Sequence, residues 1–515
     1  MTQMGTIAAK TRAEFGDFQT PLLLADRVCE LLARRGCAPV AVVEPTCGSG
    51  SFLLAALRRF PSMVQGLGVD INSAYVEAAE AATKRVPGGG KIQFLVRSFF
   101  DLDWPSVFKT LPEPLLVLGN PPWVTNAQLG ALGSENVPVK TNFQNHSGLD
   151  ALTGKSNFDI SEWMLIRLLD WLQARSATIA VLCKTAVARK VLNHAWTKGV
   201  GFSAASMWGI DAGLHFDAAV DACLLLINLA PDGKCDRAEI HANLIAEQAS
   251  SSIGFRDGLL ISNVEAYERW KHLAGTEPMT WRSGVKHDCS SVMELRRIGN
   301  RFKNGLEETV EFESDLLFPL LKSSDIAADI TRASSRFMLI PQRSVGEETD
   351  TLRERAPLTW AYLQSHSARL AKRGSSIYRG KPAFSVFGVG PYTFAPWKVA
   401  ISGLYKKLKF SVVGPQENKP VVLDDTCYSL ACGTEAQAVF VAGLLNSDIA
   451  KEFLGASIFW DAKRPITVDV LRRLNLRKLA QELGLGGSAD QYLEVSATVA
   501  KPHRFHRSNE LTLFG

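Results

Sequence analysis

The chain has 515 residues, of which 46% are hydrophobic and 21% are charged, and its formal net charge is +5. This length exceeds a single hydrophobic core and predicts two or three globular domains of ordinary composition. The nine cysteines include no Cys-x-x-Cys pair, so we expect reduced thiols and no metal site. No apolar run reaches the ~20 residues of a membrane span, and residues 1–17 are polar. We therefore expect no signal peptide, no membrane contact and a cytoplasmic location.

The first pattern along the chain is a capped helix. Phe18, Gln19, Thr20 and Pro21 precede an apolar periodicity that runs from Leu22 to Arg34. Threonine is a preferred N-cap residue, and proline is tolerated at the first helical position. We therefore predict a helix over this stretch, with Thr20 as its N-cap and Pro21 as its first residue.

A glycine-rich turn follows the first predicted strand, Val40 to Val43. The turn precedes a predicted helix from Phe52 to Phe60 and consists of Glu44, Pro45, Thr46, Cys47, Gly48, Ser49 and Gly50. Strand, glycine-rich turn and helix form a nucleotide-binding unit, in which the glycines let a ligand approach the backbone and the helix N-terminus. Because a glutamate would repel a pyrophosphate, Glu44 favours a cationic ligand that carries an ammonium and a sulfonium group.

Acidic residues follow the next two predicted strands. The second strand, Gly66 to Val69, ends at Asp70, where nucleotide-binding folds usually hold ribose hydroxyls. The third strand, Ile92 to Val96, leads to Asp101, whose carboxylate could accept the amino group of an adenine ring. Either residue alone could be an ordinary loop acid, but their positions after successive strands favour a shared ligand.

A stiff corner ends the fourth predicted strand, and it consists of Asn120, Pro121, Pro122 and Trp123. The two prolines have a fixed φ and donate no N–H, so this backbone is extended and outside any ladder. The Asn120 side-chain oxygen and the Pro121 carbonyl can accept both N–H groups of a planar amine while Trp123 stacks on the attached ring. Two acceptors off the ring plane would localise the lone pair of such an amine. The alternative interpretation is an ordinary proline-rich loop with a structural asparagine.

The alternation of strands and helices continues to about Glu247. The polar stretch from Val124 to Asn157 predicts an active-site lid or a disordered loop. After a helix and a fifth strand, two more strands are joined by a turn in which Phe216 could form a second aromatic wall for a bound base. Because the alternation is then lost, we predict a first domain over residues 1–247, a second over 248–485 and a tail over 486–515.

The second half contains a basic stretch between residues 331 and 410. It holds 14 lysines and arginines against 4 acids, and aromatic residues are interleaved with them. A basic face with aromatic side chains is typical of a polyanion-binding surface. The alternative is a solvated surface over core aromatics.

Together, these motifs resemble the S-adenosylmethionine-dependent DNA adenine-N6 methyltransferases of the gamma motif order, the TaqI-like group. The resemblance covers roughly residues 15–245 and, more loosely, 281–475. It implies an α/β fold, with a Rossmann-like seven-stranded class I methyltransferase domain and a mixed α+β C-terminal domain that recognises double-stranded DNA. The residues Cys183 and Lys184, at the end of the fifth strand, depart from the family pattern, which often has a proline there.

The resemblance also implies roles for individual residues. The catalytic site would contain Asn120, Pro121, Pro122, Trp123 and Phe216. The S-adenosyl-L-methionine site would contain Thr20, Pro21, Glu44, Thr46, Cys47, Gly48, Gly50, Asp70, Ile71, Asp101 and Asn120.

The implied activity is methyl transfer to the N6 amino group of an adenine that is flipped out of double-stranded DNA, the reaction of EC 2.1.1.72. A cognate restriction endonuclease is a possible partner, and the setting would be restriction–modification or a related defence system. Three alternatives stay open at this point. They are a methyltransferase of the same fold that acts on an RNA base or a protein glutamine amide, a catalytically idle DNA-specificity subunit, and a fused restriction nuclease, for which we find no convincing motif.

Overall fold

The chain divides into two units, Met1–Glu265 and Ala266–Gly515. A computed structural model describes residues 18–125, 159–276, 278–332 and 335–493. Most of the predicted lid or disordered loop therefore lies outside the described residues, as does the chain beyond residue 493.

A 10-stranded sheet organises the first unit, in the order β3-β2-β1-β4-β5-β7-β6-β8-β9-β10. The five strands from β1 to β5 are parallel to one another, and β7 lies between β5 and β6 and is antiparallel to both. The strands are β1 (Ala41–Glu44), β2 (Gln65–Asp70), β3 (Ile92–Val96), β4 (Leu115–Gly119), β5 (Ala177–Lys184), β6 (Phe202–Ile210), β7 (Ala222–Leu229), β8 (Arg237–His241), β9 (Ser251–Arg256) and β10 (Leu259–Ile261).

The sheet has more strands than the seven that were predicted. Strand β8 pairs in parallel with β6, and β9 and β10 form an antiparallel hairpin that extends the same sheet. The first unit runs to Glu265, past the domain boundary predicted at residue 247. The hairpin was not predicted from the sequence, because β9 begins with serines, which are common in loops. In the structure Ser252 is buried, and its hydroxyl donates to the Glu265 carboxylate.

Helices cover the sheet of the first unit. The first one has the predicted bounds, but Pro21 rather than Thr20 occupies its N-cap position, and the Pro21 carbonyl accepts the N–H groups of Leu24 and Ala25. Its apolar face is buried in the core together with the second helix and the central strands. The helices are α1 (Leu22–Arg34), α2 (Ser51–Arg59), α3 (Ser73–Thr83), α4 (Trp104–Lys109), α5 (Ile160–Leu172), α6 (Thr185–Lys198) and α7 (Ala212–Phe216), and α8 (Val264–Trp270) spans the boundary.

The second unit contains two sheets, one in the order β11-β20-β17-β18 and one in the order β14-β13-β12-β16-β15-β19. Its main core cluster gathers apolar residues between Val285 and Val422. The strands are β11 (Arg282–Ser283), β12 (Glu294–Ile298), β13 (Arg301–Asn304), β14 (Thr309–Val310), β15 (Leu317–Leu321), β16 (Arg336–Leu339), β17 (Trp397–Ser402), β18 (Ser411–Val413), β19 (Val422–Leu423) and β20 (Cys427–Cys432).

Short helices surround these sheets, and the last of them lies in the predicted tail. Its terminal carbonyl, at Tyr492, accepts a hydrogen bond of 2.9 Å from the Gln437 side chain, so the predicted tail begins with a helix that contacts the second unit. The helices are α9 (Ser290–Met293), α10 (Ser323–Ala327), α11 (Leu352–Arg355), α12 (Pro357–Ser365), α13 (Ser367–Ala371), α14 (Glu435–Leu445), α15 (Asp448–Gly455), α16 (Val468–Leu471), α17 (Leu476–Glu482) and α18 (Gly486–Tyr492). None of the helices in the described part of the chain is long and apolar enough to cross a membrane.

Candidate active site

The glycine-rich turn after β1 is held by the acid at the end of β2. One carboxylate oxygen of Asp70 accepts the Gly48 N–H at 2.8 Å, and the other accepts the Asn72 N–H at 2.9 Å. Gly48 has φ +48° and Gly50 has φ +79°, both in the left-handed region that favours glycine. The turn is therefore fixed at the carboxyl edge of the parallel strands, where α/β sheets bind ligands.

Gln19, which was absent from the predicted site, closes the other side of this turn. Its side-chain oxygen accepts the Ser49 N–H at 3.0 Å, and a Cβ at Gly48 would collide with the same amide. Thr20 is half-buried and Pro21 is exposed at the start of α1. The segment before α1 thus contacts the turn through its glutamine.

Glu44 places a buried carboxyl group at the end of β1. The residue is 3% exposed, and its Oε2 atom has no hydrogen-bond partner among the described residues. Burial raises the pKa of this carboxyl group well above its usual range, and the negative charge of Asp70 raises it further. A buried acceptor without a donor fits a ligand that brings an ammonium group.

The remaining predicted cofactor residues lie along the same edge. Ile71 and Asp101 are exposed, at the end of β2 and in a short 3₁₀ helix after β3. Cys47 is buried, and burial raises the pKa of its thiol. A small apolar pocket lies beside the turn, and its lining includes Pro45, Thr46, Gly119, Pro121, Met164 and Leu168.

The amide of Asn120 has a fixed orientation at the end of β4. Its nitrogen donates to the Phe18 carbonyl at 2.9 Å, whereas its buried Oδ1 atom has no hydrogen-bond partner among the described residues. Because the nitrogen is anchored, the oxygen is the atom presented as an acceptor. This is the orientation that recognition of an amine requires.

Three aromatic rings meet beside this amide. The ring centroid of Trp123 lies 5.2 Å from that of Phe216, in an edge-on arrangement, and 5.7 Å from that of Phe18. Trp123 and Phe216 are buried, at 5% and 7% exposure. The structure therefore brings together both predicted aromatic residues, and it adds Phe18, which comes from the segment before α1.

The end of β5 also touches the corner, through a residue that sequence reasoning noted only as a departure. Lys184 donates to the Trp123 carbonyl at 2.9 Å and to the Asp159 carboxylate at 2.7 Å. The described residues contain no group of three or more side chains suited to hold a metal ion.

The residues at this edge fit S-adenosyl-L-methionine. The glycine turn lies at the ligand-binding edge of the sheet, and Asp70 lies where nucleotide-binding folds usually hold a ribose. The buried Glu44 oxygen lacks a donor, which a ligand ammonium would supply. Fold and site define a class I methyltransferase whose cofactor is S-adenosyl-L-methionine.

Comparison with known proteins narrows this class. No protein-family model matches the chain. The chain is 45% identical over 473 residues to the type II methyltransferase M.NspV of Nostoc sp., a match that spans 92% of this chain and 98% of the relative. The chain belongs to the type II methyltransferases.

Similarity to solved structures is more distant. The type IIL restriction-modification enzyme MmeI, solved in complex with DNA, matches 96% of this chain and 76% of its own at 13% identity, with a TM-score of 0.45. A type I restriction-modification methyltransferase subunit from Streptococcus thermophilus matches 43% of this chain and 46% of its own at 17% identity, with a TM-score of 0.31.

The raised pKa of Glu44 predicts a pH dependence of cofactor binding. A cationic ligand favours the ionised carboxylate, so its binding lowers the pKa of Glu44 and releases a proton. The affinity for the cofactor should then rise with pH up to the pKa that Glu44 has in the cofactor-free protein, and it should be constant above that pKa. Calorimetry in buffers of different ionisation enthalpy would measure the released proton.

Glu44→Gln should bind the cofactor more weakly and without this proton release, whereas Glu77→Gln, an exposed acid on α3, should behave as the wild type. An unchanged affinity and an unchanged proton count in Glu44→Gln would remove Glu44 from the cofactor site.

Proposed function

We propose that the protein transfers the methyl group of S-adenosylmethionine to the N6 amino group of adenine in double-stranded DNA. The observation that carries this proposal is the amide of Asn120, whose nitrogen is anchored on Phe18 while its buried oxygen is left as an acceptor at the carboxyl edge of β4. Membership of the type II methyltransferases supports DNA as the substrate and a restriction–modification system as the setting. A cognate restriction endonuclease and a cytoplasmic location belong to the same proposal.

Catalysis rests on how the corner holds the amine. When bound, S-adenosylmethionine supplies a methyl group on a positively charged sulfur. Asn120 Oδ1 and the Pro121 carbonyl accept the two N–H groups of the adenine amine and turn its lone pair out of conjugation. Positioning and aligned acceptors provide most of the rate, because neither group is a strong base.

The target adenine has to leave the DNA stack to reach this corner. Extrusion costs a few kcal/mol, which a stacking surface and hydrogen bonds to the base offset. Trp123 and Phe216 offer that surface next to Asn120, since both rings lie in the same aromatic cluster.

The proposed function is tested by expressing the protein in a host that lacks DNA methylation. Nucleoside mass spectrometry should find N6-methyladenine, and methylation-sensitive sequencing should place it at one short recognition sequence. Asn120→Ala, expressed at the same level, should give far less. N4-methylcytosine in place of N6-methyladenine would overturn the adenine target, and methylated RNA or protein with unmethylated DNA would overturn the DNA substrate.

The basic stretch of the second unit contains two kinds of cation. Arg373 is half-buried, donates to the carbonyls of Ser385, His287 and Leu370, and lies over the Tyr378 ring at 3.8 Å. It therefore supports the fold and is unsuited to phosphate binding. Other cations of the same segment are exposed, namely Arg369, Lys372, Arg379 and Lys381.

Replacing those four exposed cations with glutamine should weaken DNA binding and flatten its salt dependence. Each phosphate that the variant no longer neutralises should lower the slope of log K against log salt by about 0.9, because fewer counterions are released. Titrations at several salt concentrations would measure both effects. A control with the same charge change in the first unit, which should keep the slope, replaces Arg85, Lys109, Lys198 and Lys234. An unchanged slope in the first variant would mean that the stretch is only a solvated surface.

A further inference from the structure

The end of β5 lies beside the catalytic corner. Strands β4 and β5 pair in parallel up to Gly119 and Val181, and β5 then continues to Lys184. The corner that follows β4 therefore leaves the sheet beside the last residues of β5. Leu182, in this continuation, accepts the Trp123 indole N–H at 3.4 Å.

Lys184 contacts the backbone of the corner and the segment that follows it. Its ammonium group donates to the Trp123 carbonyl at 2.9 Å and to Asp159 Oδ2 at 2.7 Å. The Asp159 side chain is 9% exposed, and its other oxygen caps α5 by accepting the N–H and the hydroxyl of Ser161. The residue after Trp123 takes part in this arrangement, because the Val124 carbonyl accepts the Ile160 N–H at 2.9 Å.

The corner depends on such contacts because it has little backbone support of its own. Pro121 and Pro122 donate no hydrogen bond, so neither can join a ladder. The position of Trp123 is therefore set at its two ends, at the indole by Leu182 and at the carbonyl by Lys184. A shift of this carbonyl would move the aromatic ring and the acceptors at Asn120 and Pro121 together.

We propose that Lys184 is a positioning residue for methyl transfer. It holds the Trp123 carbonyl, and with it the geometry of the amine-binding corner, while Asp159 holds its ammonium group in place. This inference rests on the proposed function of the corner. It assigns a role to Lys184, the last residue of β5.

The chain offers a matched control for an ordinary structural ion pair. Lys190, on α6, lies 2.9 Å from Glu162, which is 1% exposed in the first turn of α5. The two ion pairs are similar in position. In each of them a lysine at or after the end of β5 contacts a buried carboxylate at the start of α5. The Lys190 ammonium group donates to Glu162 Oε2, and Glu162 lies on α5 rather than at the corner.

The test compares Lys184→Met, Lys184→Arg and Lys190→Met under single-turnover conditions, with cofactor affinity measured by calorimetry. Lys184→Met should slow methyl transfer by about 100-fold, the size expected when a reacting group is misplaced by about 1 Å. Cofactor affinity should stay within about threefold, since the turn and Glu44 are untouched. Lys184→Arg should recover most of the rate, because a guanidinium group can donate to both the carbonyl and the carboxylate.

Lys184→Met leaves the Asp159 carboxylate buried without its cation, so a double variant, Lys184→Met with Asp159→Asn, guards against loss of folding. It removes the unpaired charge, keeps an oxygen for the α5 cap, and should remain as slow as the single variant. A Lys184→Met rate within threefold of the wild type would overturn the proposal, as would an equal loss in Lys190→Met. Transfer to any DNA base by the wild type suffices for the comparison, so a different target base would overturn the proposed adenine specificity and leave this test intact.

Discussion

Asn120→Ala should lower the rate of methyl transfer by about 10³ while the protein still folds and binds its cofactor. Losing one aligned acceptor in a site that excludes water typically lowers the rate by ~10²–10³. The loss here also leaves the lone pair of the amine in the ring, so the larger figure is expected. The change is narrow, because the Asn120 amide has a single partner in the described residues, the Phe18 carbonyl. Single-turnover rates with saturating cofactor would measure the effect.

Asn120→Asp separates the two functions of this amide. An aspartate keeps an oxygen for the amine but loses the N–H that donates to Phe18, and it sets a carboxylate against that carbonyl. We expect activity between those of the wild type and Asn120→Ala. Methyl transfer by Asn120→Ala at the wild-type rate would contradict the mechanism, and so would activity on duplexes whose adenines all lack the amino group.

The parts of the site that sequence predicted are those confined to short windows. Glu44, the glycines and Asp70 are recognisable because a strand, a turn and a helix follow one another within a few tens of residues. The corner is recognisable because two adjacent prolines stop the ladder at the end of an apolar strand and hold the next residues extended. Their local geometry follows from their own backbone preferences.

The missed parts are contacts between distant segments. The bond from Asn120 to Phe18 joins residues 102 apart in sequence, and that from Lys184 to Trp123 joins residues 61 apart. Neither a glutamine such as Gln19 nor a lysine such as Lys184 has a local pattern that states its partner, since both are common on surfaces. Tertiary packing alone selects them.

The same reason explains the corrections outside the site. Strand β9 begins with serines, which predict a linker when they are exposed, but pairing with β8 buries Ser252. The sequence also does not distinguish exposed cations from those that stabilise the fold. Arg373 lies among other lysines and arginines in the sequence, yet it donates to three backbone carbonyls. Composition identifies a basic stretch without stating which of its cations reach solvent.

Replacing Trp123 should have a second large effect, and the structure divides it into two parts. Stacking on an extruded base is worth ~1–3 kcal/mol. The ring is also buried against Phe216 and Phe18, and truncating a buried tryptophan to alanine typically costs ~3–5 kcal/mol of the free energy of unfolding. Trp123→Ala should therefore be less stable and much less active, whereas Trp123→Phe and Trp123→Tyr should retain much of the activity because either ring can stack.

A matched tryptophan separates packing from stacking. Trp104 is also fully buried, and its indole N–H donates to the Phe99 carbonyl at 2.8 Å, but it lies away from the corner, on α4. Trp104→Ala should lower the free energy of unfolding to a similar extent. When the folded variant binds DNA, the fluorescence of a 2-aminopurine at the target position should still increase as much as with the wild type. Trp123→Ala should show less brightening at the same folded fraction, after allowance for quenching by the indole ring. Equal brightening in the two variants would mean that Trp123 only packs, and the extruded base would then have to be held by Phe216 and the Asn120 hydrogen bond.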